Sequence, residues 1–340
     1  MGKGVISMTA ELANLEAPIK LNGKNIKNRI VVPPMADFGL TNPDGLVNER
    51  HLKHYQSFAE GGAGLIIIEA CATSRLKEPR NTIGIFEDRC LEGLTLLANA
   101  AKKNHTVSVV QMMNTGLSAM SESSLKEISR SQFLAYRDDF VSAAIRCKTA
   151  GFDGVELHAA HGFYLNQVTE CNNRMDEYAD GTRLLAELII GVKEACGSDF
   201  LVDVRFGHHN KKELLKIAKT AESAGADFLN VSFGCSGFDG CPEAFPYETT
   251  VFMASLVKEV SEIPVICVGG ITSAKQAEDI LEKGYADMAA VGRGHLCDPS
   301  WANKVLGGME PELCRNCRSC LWYIDGRKCP ARKNGGIKHE

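Results

Sequence analysis

Apolar residues gather in eight short runs along the chain, at 29–32, 64–69, 106–111, 154–158, 201–205, 228–232, 264–268 and 288–291. The runs are rich in Val, Ile and Leu, the pattern of strands covered on both faces. Seven of the eight are followed by a stretch of helical periodicity, at 52–60, 91–103, 132–149, 183–195, 213–224, 251–260 and 274–283. Several of these stretches end alike, in Ala150-Gly151-Phe152-Asp153, Ala224-Gly225-Ala226-Asp227 and Lys283-Gly284-Tyr285-Ala286-Asp287. A glycine there takes the left-handed conformation that closes a helix before the next strand begins. Eight strand–helix units predict an α/β fold of the (β/α)8 TIM barrel kind rather than an open sheet. No Pro/Ser linker interrupts the pattern before about residue 308. The expected division is therefore a barrel over 1–307 and a short C-terminal cysteine-rich segment over 308–340, packed on the barrel.

Composition narrows the class. A 340-residue chain with 44% hydrophobic and 24% charged residues and 32 glycines suits an α/β enzyme rich in turns. A net charge of −4 argues against a nucleic-acid partner. No apolar run approaches the roughly 20 residues of a membrane span, and the first residues lack the apolar core of a secretory signal. Of 13 cysteines, nine are scattered, several of them (Cys71, Cys147, Cys196, Cys267) within apolar stretches. That usage suits buried free thiols and a cytoplasmic location rather than a disulfide framework.

In a TIM barrel the chemistry belongs at the carboxyl ends of the strands. The residues there are Pro34-Met35-Ala36, Glu69-Ala70, Gln111, His158 with His161, Arg205, Ser232, Gly269-Gly270 and Gly292-Arg293. No lysine ends a strand, which argues against a Schiff-base aldolase, and no Asp/Glu/His cluster suggests a metal-dependent hydrolase. His158 and His161 can both donate into one pocket, for instance to a carbonyl oxygen; a locally satisfied pair or two zinc ligands are the alternatives. Gly269-Gly270, with Thr272 or Ser273 to cap the following helix, and Gly292-Arg293 suit a bound phosphate, although tight turns alone also explain glycines. The Gln111 amide suits the pyrimidine edge of an isoalloxazine, and the Arg205 cation suits the charge near N1/O2 of a reduced flavin.

The stretch GFDGVELHAAHGFYLNQ and the later NNRMDEY resemble the fourth-strand region of the old yellow enzyme family, the FMN-dependent ene-reductases. The resemblance runs from about Asn28 to Pro299. It implies FMN held by Pro34, Met35, Ala36, Ala70, Gln111, Arg205, Gly269, Gly270, Gly292 and Arg293, with NAD(P)H as direct or indirect electron donor. Catalysis is expected from His158 and His161. The family's proton-delivering tyrosine falls on Phe163, which makes the neighbouring Tyr164 the candidate donor. Further departures lie at Ala36, where many relatives carry Thr or Cys, in the loop Met112-Met113-Asn114-Thr115-Gly116, and in the short segment after Arg205.

The end of the chain carries Cys314, Cys317, Cys320 and Cys329 in the spacing C-x2-C-x2-C-x8-C. Four thiolates on a turn can bind an iron–sulfur cluster or one zinc. One branch of the resembled family, which includes 2,4-dienoyl-CoA reductase, 2-enoate reductase and trimethylamine dehydrogenase, holds a [4Fe–4S] cluster just after its barrel, with longer third and fourth spacings. The expected function is an FMN- and [4Fe–4S]-dependent oxidoreductase that reduces an activated C=C bond of an α,β-unsaturated carbonyl compound. A separate flavoprotein or ferredoxin is the expected electron donor, and a homo-oligomer is compatible with the pattern. The rival readings are oxidative demethylation of an amine, an electron-transfer subunit without substrate chemistry, and a non-redox phosphate-binding barrel with a zinc tail.

Overall fold

A computed structural model describes residues 12–36, 44–74, 82–114, 125–323 and 325–332. All eight apolar runs are strands: β1 (Ile30–Val32), β2 (Leu65–Ala72), β3 (Val107–Met113), β4 (Gly154–Ala159), β5 (Leu201–Phe206), β6 (Phe228–Val231), β7 (Val265–Val268) and β8 (Met288–Ala290). They pair in parallel in chain order, and β8 closes the ring on β1, giving the expected barrel. The seven helical stretches are also present, as α1 (Glu49–Glu60), α2 (Leu91–Ala101), α3 (Arg130–Ala150), α4 (Gly181–Cys196), α5 (Lys211–Ser223), α6 (Thr249–Lys258) and α7 (Ala274–Glu282). Most begin two or three residues earlier than the apolar periodicity indicates, because capping decides the start. Asn48, Ser129, Asp180 and Asn210 each accept hydrogen bonds from backbone N–H groups of the first turn. At the other ends Gly151, Gly225 and Gly284 all have positive φ, as expected.

Two cores result. Outside the barrel, the helices bury a large shell against the strands. Inside its lower half, Val31, Leu65, Ile67, Val107, Val109, Leu201, Phe228, Ile266 and Met288 form a separate apolar plug. A hairpin (Ile19–Leu21 paired with Lys24–Ile26) adds Leu21 and Ile26 to that plug. Its turn is Asn22-Gly23, both at positive φ, the residue pair that two-residue hairpins favour. Among the described residues no helix is long and apolar enough to cross a membrane.

The C-terminal segment is anchored on α1. Trp322 is buried beside His54 with ring centroids 5.4 Å apart, Arg332 covers its other side at 5.0 Å, and Arg50 pairs with Asp325 at 3.7 Å. Several histidines lie in this packing. Burial lowers His51 to about 4, with Arg50 adding to the effect, and burial lowers His295 to about 4. His54 is held well below its ordinary value by burial, Arg332 and His51. A lowered imidazole binds fewer protons folded than unfolded, so its contribution to stability is complete above about pH 6.5 and is lost as pH falls toward 4. Urea midpoints should therefore drop across that window. His295→Gln should flatten the slope by up to about 3 kcal/mol over the window; an unchanged slope refutes this reading.

Candidate active site

Alternation along the strands builds the barrel interior in layers. Above the apolar plug, the inward positions turn polar: Gln111 on β3, Glu156 on β4, Asp203 on β5 and Asn230 on β6. Gln111 and Glu156 are register partners, as are Glu156 and Asp203. Gln111 Nε2 donates to Glu156 Oε1 at 2.6 Å and Asn230 Nδ2 donates to Glu156 Oε2 at 2.7 Å. All four side chains are buried. Burial and then the Glu156 charge push the Asp203 carboxyl well above its ordinary range; neither of its oxygens has another hydrogen-bond partner, an arrangement that suits a proton shared with Glu156.

Two residues further along each strand comes the mouth, with His158, Arg205 and Ser232. Here the structure draws a continuous hydrogen-bonded chain. His158 Nε2 meets His161 Nδ1 at 3.0 Å, His161 Nε2 meets Ser232 Oγ at 2.7 Å, and an Arg205 terminal N–H donates to Ser232 Oγ at 3.4 Å. His161 reaches this position through a left-handed backbone (φ 59) and a hydrogen bond from its N–H to Phe233 O. Both its ring nitrogens are engaged, whereas His158 Nδ1 is buried with no partner. Only one of the two imidazoles thus keeps a nitrogen for a ligand, where the sequence suggested two. Burial, His161 and Arg205 hold His158 well below its ordinary pKa. His161 has an exposed edge at the mouth, and the packing around the rest of its ring together with Arg205 lowers it too. Both rings are neutral at pH 7.

Tyr164 does not join them. It opens a short helix (Tyr164–Glu170) and packs its ring on Phe133 and Tyr136 of α3, at 5.9 and 5.4 Å, with its hydroxyl buried and unpartnered. Phe163 is the ring that meets His158, at 4.8 Å. The side chain expected to deliver a proton is therefore turned into an aromatic core by the helix it begins.

The other half of the mouth is less polar. Pro34, Met35 and Ala36 follow β1, and Ala70 lies within β2 near its end; all four are partly exposed, in contrast to the buried residues before them. Gly269 and Gly270 have φ of 129° and 59°, and a Cβ on either would strike Thr250 or Glu248. Glycine is thus required there by the turn itself, and Ser273 caps α7 as expected. On the adjacent strand end Gly292 approaches Met35, while Arg293 is exposed and donates to Asn316 Oδ1 at 2.6 Å. Of the loop after β3, Thr115 and Gly116 lie outside the described residues.

Cys314, Cys317, Cys320 and Cys329 line one small cavity with Arg293, Asn316 and Trp322. A fifth cysteine that the spacing did not single out, Cys297, is buried, and burial followed by the neighbouring Cys314 and Cys329 pushes its thiol up. Sequence reasoning also passed over Glu156, Asp203 and Asn230, although a polar residue at every second place of an otherwise apolar strand is a legible signal.

Residues 14–125 and 120–312 match the model of the NADH:flavin oxidoreductase / NADH oxidase family. The chain belongs to that family. This is the old yellow enzyme family inferred from the motifs, a family of flavin oxidoreductases. It is similar to an NADH oxidase of Thermoanaerobacter brockii (33% identical over 92% of the chain) and to an NADPH dehydrogenase of Bacillus licheniformis (33% over 84%). It spans 54% of the length of the first and 92% of the second. Its fold is that of 2-naphthoyl-CoA reductase (TM-score 0.81, 21% identity, 92% of this chain and 55% of that one) and of morphinone reductase (0.75, 22%, 92% and 96%). Cys314, Cys317, Cys320 and Cys329 lie beyond the matched residues.

The shared proton makes a sharp stability prediction. A group with a raised folded pKa contributes less as pH rises through the range between its unfolded and folded values. Asp203→Asn supplies a donor that needs no proton from solution, so its urea midpoint should equal or exceed that of the wild type at pH 8. Asp203→Leu leaves Glu156 short of a donor and should cost about 1–3 kcal/mol. Equal losses in both variants would rule out the shared proton.

Proposed function

We propose that the chain binds FMN across the barrel mouth and reduces an activated C=C bond of an enone, enoate or enoyl thioester. The observation that carries the reading is the chain Arg205–Ser232–His161–His158, which ends in an uncommitted buried Nδ1. The mouth fits a flavin: Arg205 on its polar side with the Gln111 amide in the layer beneath, an open Pro34-Met35-Ala36-Ala70 face on the other, and glycine turns after β7 and β8 where a phosphate can approach backbone N–H groups. When bound, the flavin supplies the hydride for the β carbon of the acceptor.

The protein's own contribution follows from the direction of the hydrogen bonds. Arg205 donates to Ser232, whose hydroxyl then donates to His161 Nε2; His161 Nδ1–H donates to His158 Nε2. That order leaves His158 as the Nδ1–H tautomer, a fixed donor for the substrate's carbonyl oxygen and for the charge that develops on it. Because both rings are neutral, this donor is present without acidification. With the Tyr164 hydroxyl turned toward α3, the proton for the α carbon comes from solvent at the exposed edge of His161.

For the cysteine segment we infer a [4Fe–4S] cluster. Four thiols around one cavity support it. A tetrahedral zinc, with Zn–S near 2.3 Å, draws its sulfurs to about 3.8 Å apart. Among the described residues the His/Cys/Asp/Glu set closing to within 4.8 Å lies elsewhere, at Glu170, His208 and His209, so the thiols are spread more widely than zinc requires. Cys317 and Cys320 are exposed, which gives a partner's redox group an approach to a cluster held there.

Anaerobically purified, cofactor-replete protein should contain tightly held FMN, and after dithionite reduction it should turn over at least one class among enones, enoates and enoyl thioesters. His158→Ala should keep the flavin and lower kcat/KM by about 10²–10³, whereas Tyr164→Phe should retain full turnover. Protein without flavin, or an unaffected His158→Ala, ends the proposal. With NADH alone the flavin should be reduced slowly, and with a reduced ferredoxin or flavoprotein quickly; rapid reduction by NADH in single-turnover measurements contradicts the role given to the cysteine segment.

A further inference from the structure

Next to the histidine pair lies a second cluster that hydride chemistry does not use. Glu170 ends the short helix after β4, His208 and His209 stand in the loop after β5, and Cys235 stands in the loop after β6. One ligand atom from each of Glu170, His208 and His209 lies within 4.8 Å of the others. We propose that these three side chains form a binding site for a divalent transition-metal ion of the zinc class, bracing the loops that carry the catalytic rim.

The chemistry of the set supports this. Two imidazoles and one carboxylate form a three-ligand zinc set that leaves a fourth position for a thiolate or water. The fourth position is left to water: Cys235 borders the set, its Sγ bonding Asn166 Oδ1 at 3.3 Å and its backbone N–H bonding Glu170 Oε2, but its thiol is not among the atoms that close to within 4.8 Å. The Glu170 side chain is 1% exposed, and no Lys or Arg pairs with it among the described residues. Its partners are the N–H groups of His209 and Cys235, Asn166 Nδ2 and, at 2.8 Å, His209 Nδ1. A carboxylate so removed from water is a strong oxygen ligand once a cation arrives. Binding exchanges the His209–Glu170 hydrogen bond for metal bonds, and where Nδ1 ligates, the proton it carried sits on Nε2 instead. His208 stacks on His209 with centroids 4.6 Å apart, and its Nδ1 accepts from Asn210 N–H at 3.0 Å; that contact is given up if Nδ1 is the ligating nitrogen.

The placement gives the ion a structural consequence. The loop through Gly234 packs so closely on Glu170 that a Cβ at Gly234 would collide with the carboxylate. The same loop begins at Ser232 and holds His161 through Phe233 O. An ion at Glu170 therefore joins the segments following β4, β5 and β6, from which His161, Arg205 and Ser232 come.

The test uses the full, cofactor-replete protein, treated with a mild chelator and then titrated with zinc sulfate, with zinc and iron counted separately by mass spectrometry. Wild type should take up about one more equivalent of zinc per chain than His208→Asn/His209→Asn, and any zinc held by the C-terminal cysteines cancels in that difference. Flavin content and circular dichroism of the variant report whether it is folded. In the wild type alone, zinc should raise Tm and cobalt(II) should give visible ligand-field bands. Equal zinc uptake by folded variant and wild type, or no zinc-dependent Tm shift in wild type, overturns the site.

Discussion

The barrel mouth depends on accommodating two carboxyls, Glu156 and Asp203, buried side by side. Parallel pairing of β3, β4 and β5 sets Gln111, Glu156 and Asp203 in register, and Asn230 of β6, the register partner of Arg205, reaches down to Glu156. Two ionised carboxylates could not be accommodated there; one charge can, because Gln111 and Asn230 each donate to Glu156. The layer also fixes register. A slip of one residue in any of these strands would turn its polar side chain into the apolar helix–strand shell, at several kcal/mol per unpaired group. The polar interior therefore reduces the freedom of the strands as well as shaping the site.

Arg205 sits one layer above that charge, and it adds to what burial does to the histidines. Burial first, with the guanidinium beside it, favours the neutral form of both imidazoles, and neutral rings can be threaded into a directional chain in which each ring donates on one side and accepts on the other. A protonated ring would have to donate on both sides and would break the chain at His161. The charge below, the cation above it and the neutral relay at the mouth are thus parts of one electrostatic arrangement.

Much of this was legible in the chain and some was not, for identifiable reasons. Strand runs are readable because a strand covered on both faces must be apolar almost throughout; that is why all eight were found, and why Gln111, His158 and Arg205 stood out where the runs stop. The same expectation hid Glu156, Asp203 and Asn230, which lie inside the runs as single polar residues. Asn22-Gly23 between alternating apolar residues is a strong hairpin signal, yet it lies outside the repeating unit that organises the rest. Which way Tyr164 turns could not be read from its neighbours, since one residue at a helix start separates the His158 face from the Phe133 face. The cluster at Glu170, His208 and His209, contrary to the expectation of no such group at the rim, joins two segments 38 residues apart, and only folding brings them together.

A short helix after the last strand ties the two halves of the proposed redox machinery together. Gly292–Cys297 begins where Gly292 touches Met35 at the barrel mouth and ends with Cys297 against Cys314 and Cys329. At 1.5 Å per residue its span is about 8 Å. Arg293, the residue expected to grip a phosphate, already bonds Asn316 between two of the cysteines. Its side chain therefore links the last strand's end to the cysteine loop, and in the proposed reading a bound phosphate would compete with Asn316 for it. The spacing of the final cysteines differs from the longer pattern of the resembled branch, and the buried thiol of Cys297, supplied from the barrel side, lies where a shorter loop most needs a further sulfur.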